Sequence, residues 1–430
     1  MSRISLVEPL SNFNGYRLIK LPLLGLLYLG TILKRRGHHV TLHSENVSPV
    51  LKGKSGFLDP DLRESDVIGI STMTSTANRA YEIARAVRKS KSETRIFLGG
   101  PHATFMAQEA SQYADVVVLG EAESNIGQLV ENSSRGIFQG EKVPDLDQLP
   151  YPDFSLMGKL HSTMRYAPIS TSRGCPFDCS FCSVSTMFGR KIRFRSPESV
   201  LDELEMRHHS GHRRFFFYDD NFGVSHERSK ILLEGILRKN LNLKWTAEAR
   251  VELSQDKELL KLMARSGCHY LLFGLESINP KTLSTYNKKQ SLEDIKNCIR
   301  RVRQHDIKVH GMFVLGSDED SPETVRQTVK FCNQFKVDSA QFAILFPIPG
   351  TRLYQQLEAE GRIFTKDWSL YDGTHVVFRP KNMKAAELQR LFVWAWKKFY
   401  SLARVKGFLA SRYLLSKWER INRKFLDALK

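Results

Sequence analysis

Three closely spaced cysteines, with no fourth beside them, constrain this chain more than any other feature of its sequence. Cys175, Cys179 and Cys182 form a C-x3-C-x2-C pattern directly after the short apolar segment 166–169. Gly174 and the proline after the first cysteine favour a tight turn there. Protein-bound iron–sulfur clusters usually have four protein ligands. Three thiolates on one loop would therefore leave one iron of a four-iron cluster open to a small chelating molecule.

A structural zinc site is the alternative that these cysteines leave open. Zinc takes four ligands, usually in paired C-x2-C or His-x3–5-His spacing. None of the histidines has the spacing to these cysteines that a zinc finger or ribbon requires. The candidate fourth ligands are His161, His208, His209 and His212. Cys268, Cys298 and Cys332 lie in apolar strand or helix patterns, so we predict that they are buried thiols.

The cellular compartment follows from the same cysteines. Six scattered cysteines in 430 residues do not form a disulfide framework, and thiolate-bound iron with sulfide needs reducing conditions. The longest apolar run, residues 21–33, is interrupted by a proline and two glycines, and it is shorter than the ~18–20 residues of a membrane span. The N-terminus lacks the pattern of a signal peptide. We therefore expect a cytoplasmic protein in an oxygen-poor setting.

Short apolar strands alternate with helices over the first 130 residues. The predicted strands are 4–7, 39–42, 67–71, 95–98 and 116–119, and the clearest helices are 21–36 and 77–90. This alternation predicts a doubly wound parallel sheet, whose ligands bind at the carboxyl ends of the strands. No G-x-G-x-x-G follows the first strand, so a dinucleotide is not indicated. The candidate ligand-binding residues at these strand ends are Ser71, Thr72, Thr74, Gly99, Gly100, His102, Thr104, Gly120, Glu121 and Glu123.

Six further strand–helix units follow the cysteines. The predicted strands are 166–170, 214–218, 244–249, 270–274, 308–315 and 340–346. Ser196 and Ser321 each precede a proline and an acidic residue, a helix-start pattern. Six parallel units predict a partial (β/α)6 TIM-like barrel, with reactive residues at the carboxyl ends of its strands. The candidates there are Asp219, Asp220, Glu248, Arg250, Glu276, Ser277 and Met312.

The cysteine spacing, with Phe181 just before the last cysteine, resembles the signature loop of radical S-adenosylmethionine (radical SAM) enzymes. The resemblance implies a [4Fe-4S] cluster held by Cys175, Cys179 and Cys182, and SAM bound to the open iron and cleaved to an adenosyl radical. By the same resemblance Asp219 or Asp220 would hold the SAM ammonium group. Glu248, Arg250 and Glu276, with Ser277 beside them, would contact its ribose and carboxylate, and Phe181 and Met312 its adenine. Carboxylates and arginines at adjacent strand ends are also common as structural ion pairs.

The N-terminal strand-end loops, with the segment 21–25, resemble the cobalamin-binding domain fused to one branch of radical SAM enzymes. The Asp-x-His-x-x-Gly motif of other cobalamin proteins is absent. The resemblance therefore implies cobalamin without a histidine ligand from below, with the loop 71–75 beneath the cobalt and His102 at the edge or tail. A domain of this type that has lost its cofactor is the alternative.

The resulting domain prediction has four parts. Residues 1–140 form the cobalamin-binding-like domain, 141–164 a linker, 165–360 the radical SAM barrel, and 361–430 a C-terminal cap with a basic amphipathic helical tail. The net charge is +18, and the tail from Lys397 is rich in basic and aromatic residues. Such a tail suits peripheral contact with the inner face of a membrane, or an aromatic face that packs on the barrel beneath solvated lysines.

The function that the resemblance implies is methylation of an unactivated carbon of a small-molecule or lipid-like substrate. The expected cofactors are the cluster, SAM and cobalamin, with a reductant such as flavodoxin or ferredoxin. The alternatives are radical carbon–carbon coupling or cyclisation, with or without cobalamin. A lipid is among the candidate substrates for these reactions. A zinc-stabilised nucleic-acid-binding protein is the alternative from another class, although we do not expect a nucleic-acid partner. The sequence does not specify the substrate.

Overall fold

The computed structural model describes residues 1–10, 21–52 and 57–401. The chain divides into two compact units, each an α/β structure. The first unit contains residues Met1–Pro176, Ser183–Arg214 and Asp367–Asp372. The second contains Phe177–Cys182, Phe215–Lys366 and the described residues from Gly373 onward. None of the helices in these described ranges is long and apolar enough to cross a membrane.

The first unit contains eleven strands and eight α-helices among its described residues. The strands are β1 (Arg3–Glu8), β2 (His39–Ser44), β3 (Leu51–Lys52), β4 (Phe57–Leu58), β5 (Val67–Ser71), β6 (Arg95–Gly99), β7 (Val116–Leu119), β8 (Gly136–Gln139), β9 (Ala167–Ile169), β10 (Ser172–Arg173) and β11 (Arg193–Phe194). The helices are α1 (Leu24–Arg35), α2 (Pro60–Glu64), α3 (Ala77–Ser90), α4 (Pro101–Phe105), α5 (Ala107–Ala110), α6 (Ile126–Glu131), α7 (Val184–Phe188) and α8 (Pro197–His209). Short 3-10 helices lie at Thr74–Thr76, Leu146–Gln148, Phe154–Thr163 and Trp368–Leu370.

The main sheet of this unit is parallel, with the strand order β2-β1-β5-β6-β7-β8. The order reverses between β1 and β5, and the crevice at such a reversal is where doubly wound sheets bind ligands. The five predicted strands and the helix α3 are confirmed. The edge strand β8 was not predicted, because its largely exposed residues carry no apolar pattern.

The second unit contains the remaining elements. Its strands are β12 (Arg214–Phe217), β13 (Lys244–Ala249), β14 (Cys268–Glu276), β15 (Lys308–Leu315) and β16 (Ser339–Ile344). Its helices are α9 (His226–Arg238), α10 (Lys257–Arg265), α11 (Pro280–Thr285), α12 (Leu292–Arg303), α13 (Pro322–Gln334), α14 (Arg352–Ala359) and α15 (Ala385–Phe399), with a 3-10 helix at Val251–Gln255.

These strands form a parallel sheet in sequential order, β12-β13-β14-β15-β16, as a partial radical SAM barrel requires. All six predicted barrel strands exist, β9 being the first. The predicted helix starts are confirmed: the hydroxyl oxygens of Ser196 and Ser321 accept hydrogen bonds from the backbone N–H groups of Ser199 and Thr324. Both helices therefore begin where the Ser-Pro-Glu pattern placed them.

The described part of the basic tail is the end of α15, which packs on β16 and α13. Phe392 and Phe399 are buried, the Trp396 indole donates to the carbonyl of Phe342, and Lys397 and Lys398 are exposed. For residues 397–401, the structure agrees with the packed alternative: the aromatic face lies on the barrel and the lysines face solvent. The rest of the predicted tail, residues 402–430, lies outside the described residues.

Candidate active site

The six cysteines divide into two groups by exposure. Cys175, Cys179 and Cys182 are partly exposed, whereas the other three are buried. Burial raises the pKa of Cys298 to about 12 and also raises that of Cys268, so these thiols stay protonated. Only the cysteines of the C-x3-C-x2-C loop keep the access that ligands of an inorganic cluster need.

Backbone hydrogen bonds hold the part of the cysteine loop that belongs to the second unit, residues 177–182. The N–H of Ser180 donates to the carbonyl of Tyr286 at 3.1 Å, and the N–H of Leu353 donates to the carbonyl of Ser180 at 3.0 Å. The ring of Phe181 meets that of Tyr286 edge-on at 4.9 Å, within an apolar cluster. Phe181 therefore anchors the loop, whether or not it also contacts adenine.

Arg250, which follows β13, is buried beside this loop. Its guanidinium lies 3.9 Å from the Sγ of Cys179 and 3.6 Å from the ring centroid of Phe177. It also donates to the carboxylate of Glu252 at 2.7 Å and to the carbonyl of Lys288. A cation that donates to a thiolate stabilises the deprotonated sulfur that metal binding requires. The structure thus places Arg250 next to a predicted cluster ligand.

Glu276 ends β14 in a strained conformation and forms a buried ion pair. Its φ is +59°, in the left-handed region that side chains other than glycine rarely adopt. Its carboxylate lies 2.6 Å from the Nζ of Lys288, and both side chains are less than a tenth exposed. A Cβ on Gly274 would lie 2.5 Å from the Glu276 carboxylate and 2.8 Å from the Lys288 ammonium group, so a side chain there would displace the pair. Sequence reasoning missed Lys288, because nothing in a loop between two helices predicts a buried ammonium group.

Asp219 and Asp220 follow β12 and differ in exposure. Asp219 is buried, whereas solvent reaches Asp220. The protein atoms that surround Asp220 and the neighbouring Asp219 carboxylate raise the pKa of Asp220 to about 7. Two adjacent carboxylates concentrate negative charge, which suits an ammonium group.

Strand register brings two further predicted residues onto one face of the second sheet. Glu248 lies opposite Leu272, and Met312 lies opposite Gly274 on the next strand. Side chains of a strand alternate between faces, so Glu248, Gly274 and Met312 share the face that also carries His310. Burial lowers the pKa of His310 to about 4, which leaves a neutral imidazole on this face.

The strand-end loops of the first unit are joined largely by hydrogen bonds to backbone. The Thr72 hydroxyl donates to the carbonyl of Gly99 at 2.8 Å and accepts from the N–H of Ala103 at 3.0 Å. The Thr104 hydroxyl donates to the carbonyl of Gly100 and accepts from the N–H of Gly120. These two hydroxyl groups tie the loops after β5, β6 and β7 together, which is a different use from the predicted contact with a ligand.

Gly100 is the tightest point of these loops. Its φ is +96°, and an added Cβ would lie 2.9 Å from the carbonyl oxygen of Thr72. Ser71 is half-buried, and Met73 is the exposed apolar side chain of the same rim, at 44%. The backbone is therefore closely packed at Gly100, and an apolar thioether is exposed near it.

His102, which is buried, and Glu109, which is partly exposed, form a polar pair behind these loops. The Nε2 of His102 lies 3.5 Å from the Glu109 carboxylate, which also accepts from the indole N–H of Trp368 at 2.8 Å. Burial lowers the pKa of His102, so its imidazole is neutral. The His102 ring is fully buried and meets the Trp368 ring edge-on at 5.0 Å. His102 is therefore packed within the unit.

Glu121 and Glu123, the last of the predicted cobalamin contacts, are bound to arginines. Arg173 donates to Glu121 at 2.9 Å and to Glu123 at 2.6 Å, and Arg193 forms a short ion pair with Glu121. These arginines lie on β10 and β11, the hairpin that flanks the first cysteine, Cys175. Both carboxylates are committed to ion pairs within the first unit, and these ion pairs hold the pKa of Glu121 below its usual value.

Two family models match this chain. The Radical SAM superfamily matches residues 169–332, and the B12 binding domain matches residues 19–130. These ranges contain the cysteine loop with strands β12 to β15 of the second sheet, and the loops after β5, β6 and β7 of the first sheet.

Similar proteins agree with both matches. A methyltransferase of Pyrococcus horikoshii without an assigned role is 30% identical over 410 residues, which cover 88% of each chain. The bacteriochlorophyllide d C-12(1)-methyltransferase of Chlorobaculum tepidum is 32% identical over 352 residues, covering 79% of this chain and 76% of that one. Among solved structures, the radical SAM methyltransferase TsrM of Kitasatospora setae has the same fold, with a TM-score of 0.69 at 17% identity over 100% of this chain and 99% of that one.

The fold and the cysteine loop therefore define an enzyme that uses SAM for radical chemistry. The chain belongs to the family of radical SAM enzymes that carry a cobalamin-binding domain. Membership implies SAM, a [4Fe-4S] cluster and cobalamin as cofactors, a small-molecule substrate and an external reductant. The zinc-stabilised nucleic-acid-binding protein is not supported.

Proposed function

We propose that this enzyme cleaves SAM reductively and methylates an unactivated carbon of its substrate. The observation that carries the proposal is the presence, in one chain, of a cysteine loop with charged residues at the barrel strand ends and of an open rim at the B12-type strand ends. The relatives named as methyltransferases support the same reaction. When bound, the cluster and SAM supply a hydrogen-abstracting radical, and cobalamin supplies the methyl group.

In the second unit the chain's own residues would hold and orient SAM. The proposed cluster ligands are Cys179 and Cys182 of this unit, together with Cys175, which precedes the unit in the sequence. The carboxylates of Asp219 and Asp220 suit the ammonium group of SAM, and the Lys288 ammonium beside Glu276 adds a cation that suits its carboxylate. The remaining proposed SAM contacts are Phe181, Glu248, Arg250, Ser277 and Met312.

In the first unit the proposed cobalamin contacts differ in what they can offer. Ser71, Met73 and the backbone of Gly99 and Gly100 form the rim and can meet the cofactor directly. The hydroxyl groups of Thr72 and Thr104 already donate hydrogen bonds to backbone carbonyl groups of neighbouring loops. The remaining proposed contacts, which would then support the rim from behind, are Thr74, His102, Gly120, Glu121 and Glu123. We propose residues 1–140 and 165–360 as the two catalytic domains, with 141–164 between them and 361–430 as the cap.

The decisive experiment compares two cysteine variants of the anaerobically reconstituted enzyme. Cys179→Ala should abolish conversion of SAM to 5′-deoxyadenosine, because the cluster loses one of its three ligands. Cys332→Ala, a buried cysteine on α13, is the matched control and should retain conversion. Undiminished cleavage by the Cys179→Ala enzyme would refute the cluster assignment.

Cyclisation or coupling remains the second candidate within the same chemistry. The mass of the product separates the reactions: a gain of one methylene indicates methylation, and a loss of hydrogen indicates ring formation. The visible spectrum and cobalt content of the anaerobically purified protein test whether cobalamin takes part.

The substrate class and the electron donor are further proposals. The sequence of residues 402–430 is rich in basic and aromatic residues, a composition that suits an amphipathic or lipid-like substrate collected at the inner face of a membrane. Liposome co-sedimentation with and without residues 402–430 tests this, and equal recovery of both forms would contradict it. A flavodoxin or ferredoxin is the proposed reductant, which SAM cleavage with each purified donor would test.

A further inference from the structure

The loop between α11 and α12 has a strained backbone. We call residues 286–290 the seat loop. Asn287 has a φ of +52° and Lys289 a φ of +56°, both in the left-handed region, and neither is a glycine. Asn287 follows the last turn of α11, where its N–H donates to the carbonyl of Ser284, and asparagine tolerates a positive φ at such a position. Lys289 is the strained residue, at a cost on the order of 1 kcal/mol, and strain of this kind persists where surrounding contacts hold the backbone.

One set of contacts holds the cysteine loop. The Nδ2 of Asn287 donates to the carbonyl of Asp178 at 2.8 Å, directly before Cys179. The N–H of Ser180 donates to the carbonyl of Tyr286 at 3.1 Å, directly after Cys179. The seat loop is thus hydrogen-bonded to the backbone on both sides of Cys179, a predicted cluster ligand.

A second set of contacts holds the end of β14. Lys288 forms the buried ion pair with Glu276. The Nε2 of Gln290 donates to the carbonyls of Gly274 and Leu275 at 3.2 and 3.0 Å. The side chain of Asn287 therefore reaches the cysteine loop, whereas the side chains of Lys288 and Gln290 reach the end of β14.

We propose that the seat loop sets the distance between the cysteine loop and the SAM-binding end of β14, and that Asn287 is the positioning residue. This inference rests on the proposed function. Arg250 strengthens the same link, since it donates to the carbonyl of Lys288 and lies 3.9 Å from the Sγ of Cys179. Asn287 touches neither SAM nor the cluster in this role; it acts through Asp178.

Two substitutions separate the hydrogen bond of Asn287 from its backbone conformation. Asn287→Gly keeps access to positive φ but has no side chain to donate. Asn287→Asp keeps the size of the side chain and tolerates positive φ, but a carboxylate cannot donate. Asn240, at the end of α9, is an exposed asparagine with a φ of +51°, so Asn240→Gly is the matched control.

The Asn287 variants should assemble the cluster but cleave SAM more slowly than the wild type. We expect both Asn287 variants to bind iron at the wild-type level, to change the electron paramagnetic resonance spectrum of the reduced cluster with SAM, and to lower kcat for 5′-deoxyadenosine formation about 10- to 100-fold, the range for a small misplacement. The KM for SAM should change less than kcat. Asn240→Gly should match the wild type in all of these.

The outcomes distinguish this inference from the proposed function. Spectra and kcat of both Asn287 variants equal to those of Asn240→Gly would overturn the role of Asn287. If Asn287→Gly does not fold, judged by circular dichroism, the Asn287→Asp variant alone decides in the same way. Failure of the wild-type enzyme to cleave SAM at all would instead overturn the proposed function.

Discussion

The strand ends of the two sheets prepare their sites by different means. In the first sheet the ends of β5 and β6 are built from backbone and neutral hydroxyl groups, with Thr72 bonded to neighbouring loops and Gly100 in close contact with it. The carboxylates that follow β7, Glu121 and Glu123, are neutralised by arginines. In the second sheet the strand ends carry charges, with Arg250 beside Cys179 and Lys288 paired with Glu276.

The difference matches what each site has to bind. A large, flat cofactor is recognised by the shape of a surface and by exposed apolar groups, which a rigid rim provides. SAM carries an ammonium, a carboxylate and a sulfonium group, so fixed charges of both signs orient it. Shape should therefore be the sensitive variable in the first unit, and charge in the second.

The largest effect is expected from the buried ion pair. Lys288→Met should lower the free energy of unfolding of the second unit by about 3–5 kcal/mol, because it leaves the Glu276 carboxylate buried without its partner. Urea unfolding monitored by circular dichroism measures this. Glu276→Gln should also destabilise the unit, since it leaves the ammonium group unpaired.

A double variant separates stability from function. Lys288→Met combined with Glu276→Gln removes both charges, so most of the lost stability should return. SAM binding should not return with it, because the site needs the charges themselves. Recovery of wild-type SAM affinity in the double variant would show that the pair is structural only.

The shape of the first rim is tested by one methyl group. Gly100→Ala should cost about 1–3 kcal/mol, because alanine is strained at a φ of +96° and its Cβ meets the carbonyl of Thr72. Cobalamin binding, followed by the visible spectrum, should weaken with it. Gly37→Ala is the control: its φ of +89° strains alanine as well, but nothing lies within 4 Å of the added Cβ, so cobalamin binding should not change. Equal cobalamin affinity of the two variants would contradict the importance of the rim shape.

The sequence was sufficient for the fold because both sheets are built from short apolar strands between helices with clear start signals. β5, β7, β13 and β15 begin and end at the predicted residues. Elements without such a signal were missed, including the exposed edge strand β8 and the hairpin of β10 and β11. Neither carries the apolar periodicity from which the other strands were predicted.

The sequence identified candidate site residues, but it did not predict which residues they pair with. Motifs identified Glu121, Arg250 and Glu276 as candidates, yet their ion pairs depend on residues far away in sequence or in unpatterned loops. Lys288 is the clearest case, because its burial depends on the left-handed turn at Asn287 and on Gly274 opposite. Neither feature is visible in a strand or helix pattern.

The pH dependence of stability tests the charge character of the second site. The pKa of Asp220 is raised from its ordinary 3.8 to about 7, so the folded state loses stability as pH rises between these values. Asp220→Asn should therefore stabilise the protein more at about pH 8.5 than at about pH 5.5, measured by urea unfolding. For the control, hydrogen bonds from Ser291 lower the pKa of Asp294, so the effect of Asp294→Asn should be the same at both pH values. If Asp220→Asn changed the free energy of unfolding by the same amount at both pH values, the raised pKa of Asp220 would be contradicted.

The smallest expected effect compares two tryptophans, one in each unit. The Trp368 indole donates to Glu109 behind the first rim, and the Trp396 indole donates to the carbonyl of Phe342 on β16. Trp368→Phe and Trp396→Phe should each cost about 1 kcal/mol, the value of one hydrogen bond. Because the segment Trp368–Leu370 packs against Thr74–Thr76 and α3, only Trp368→Phe should loosen the rim and weaken cobalamin binding, by about fivefold if the lost bond is fully transmitted. Cobalamin titration of both variants measures this, and equal affinities would show that the rim is rigid without support from the C-terminal segment.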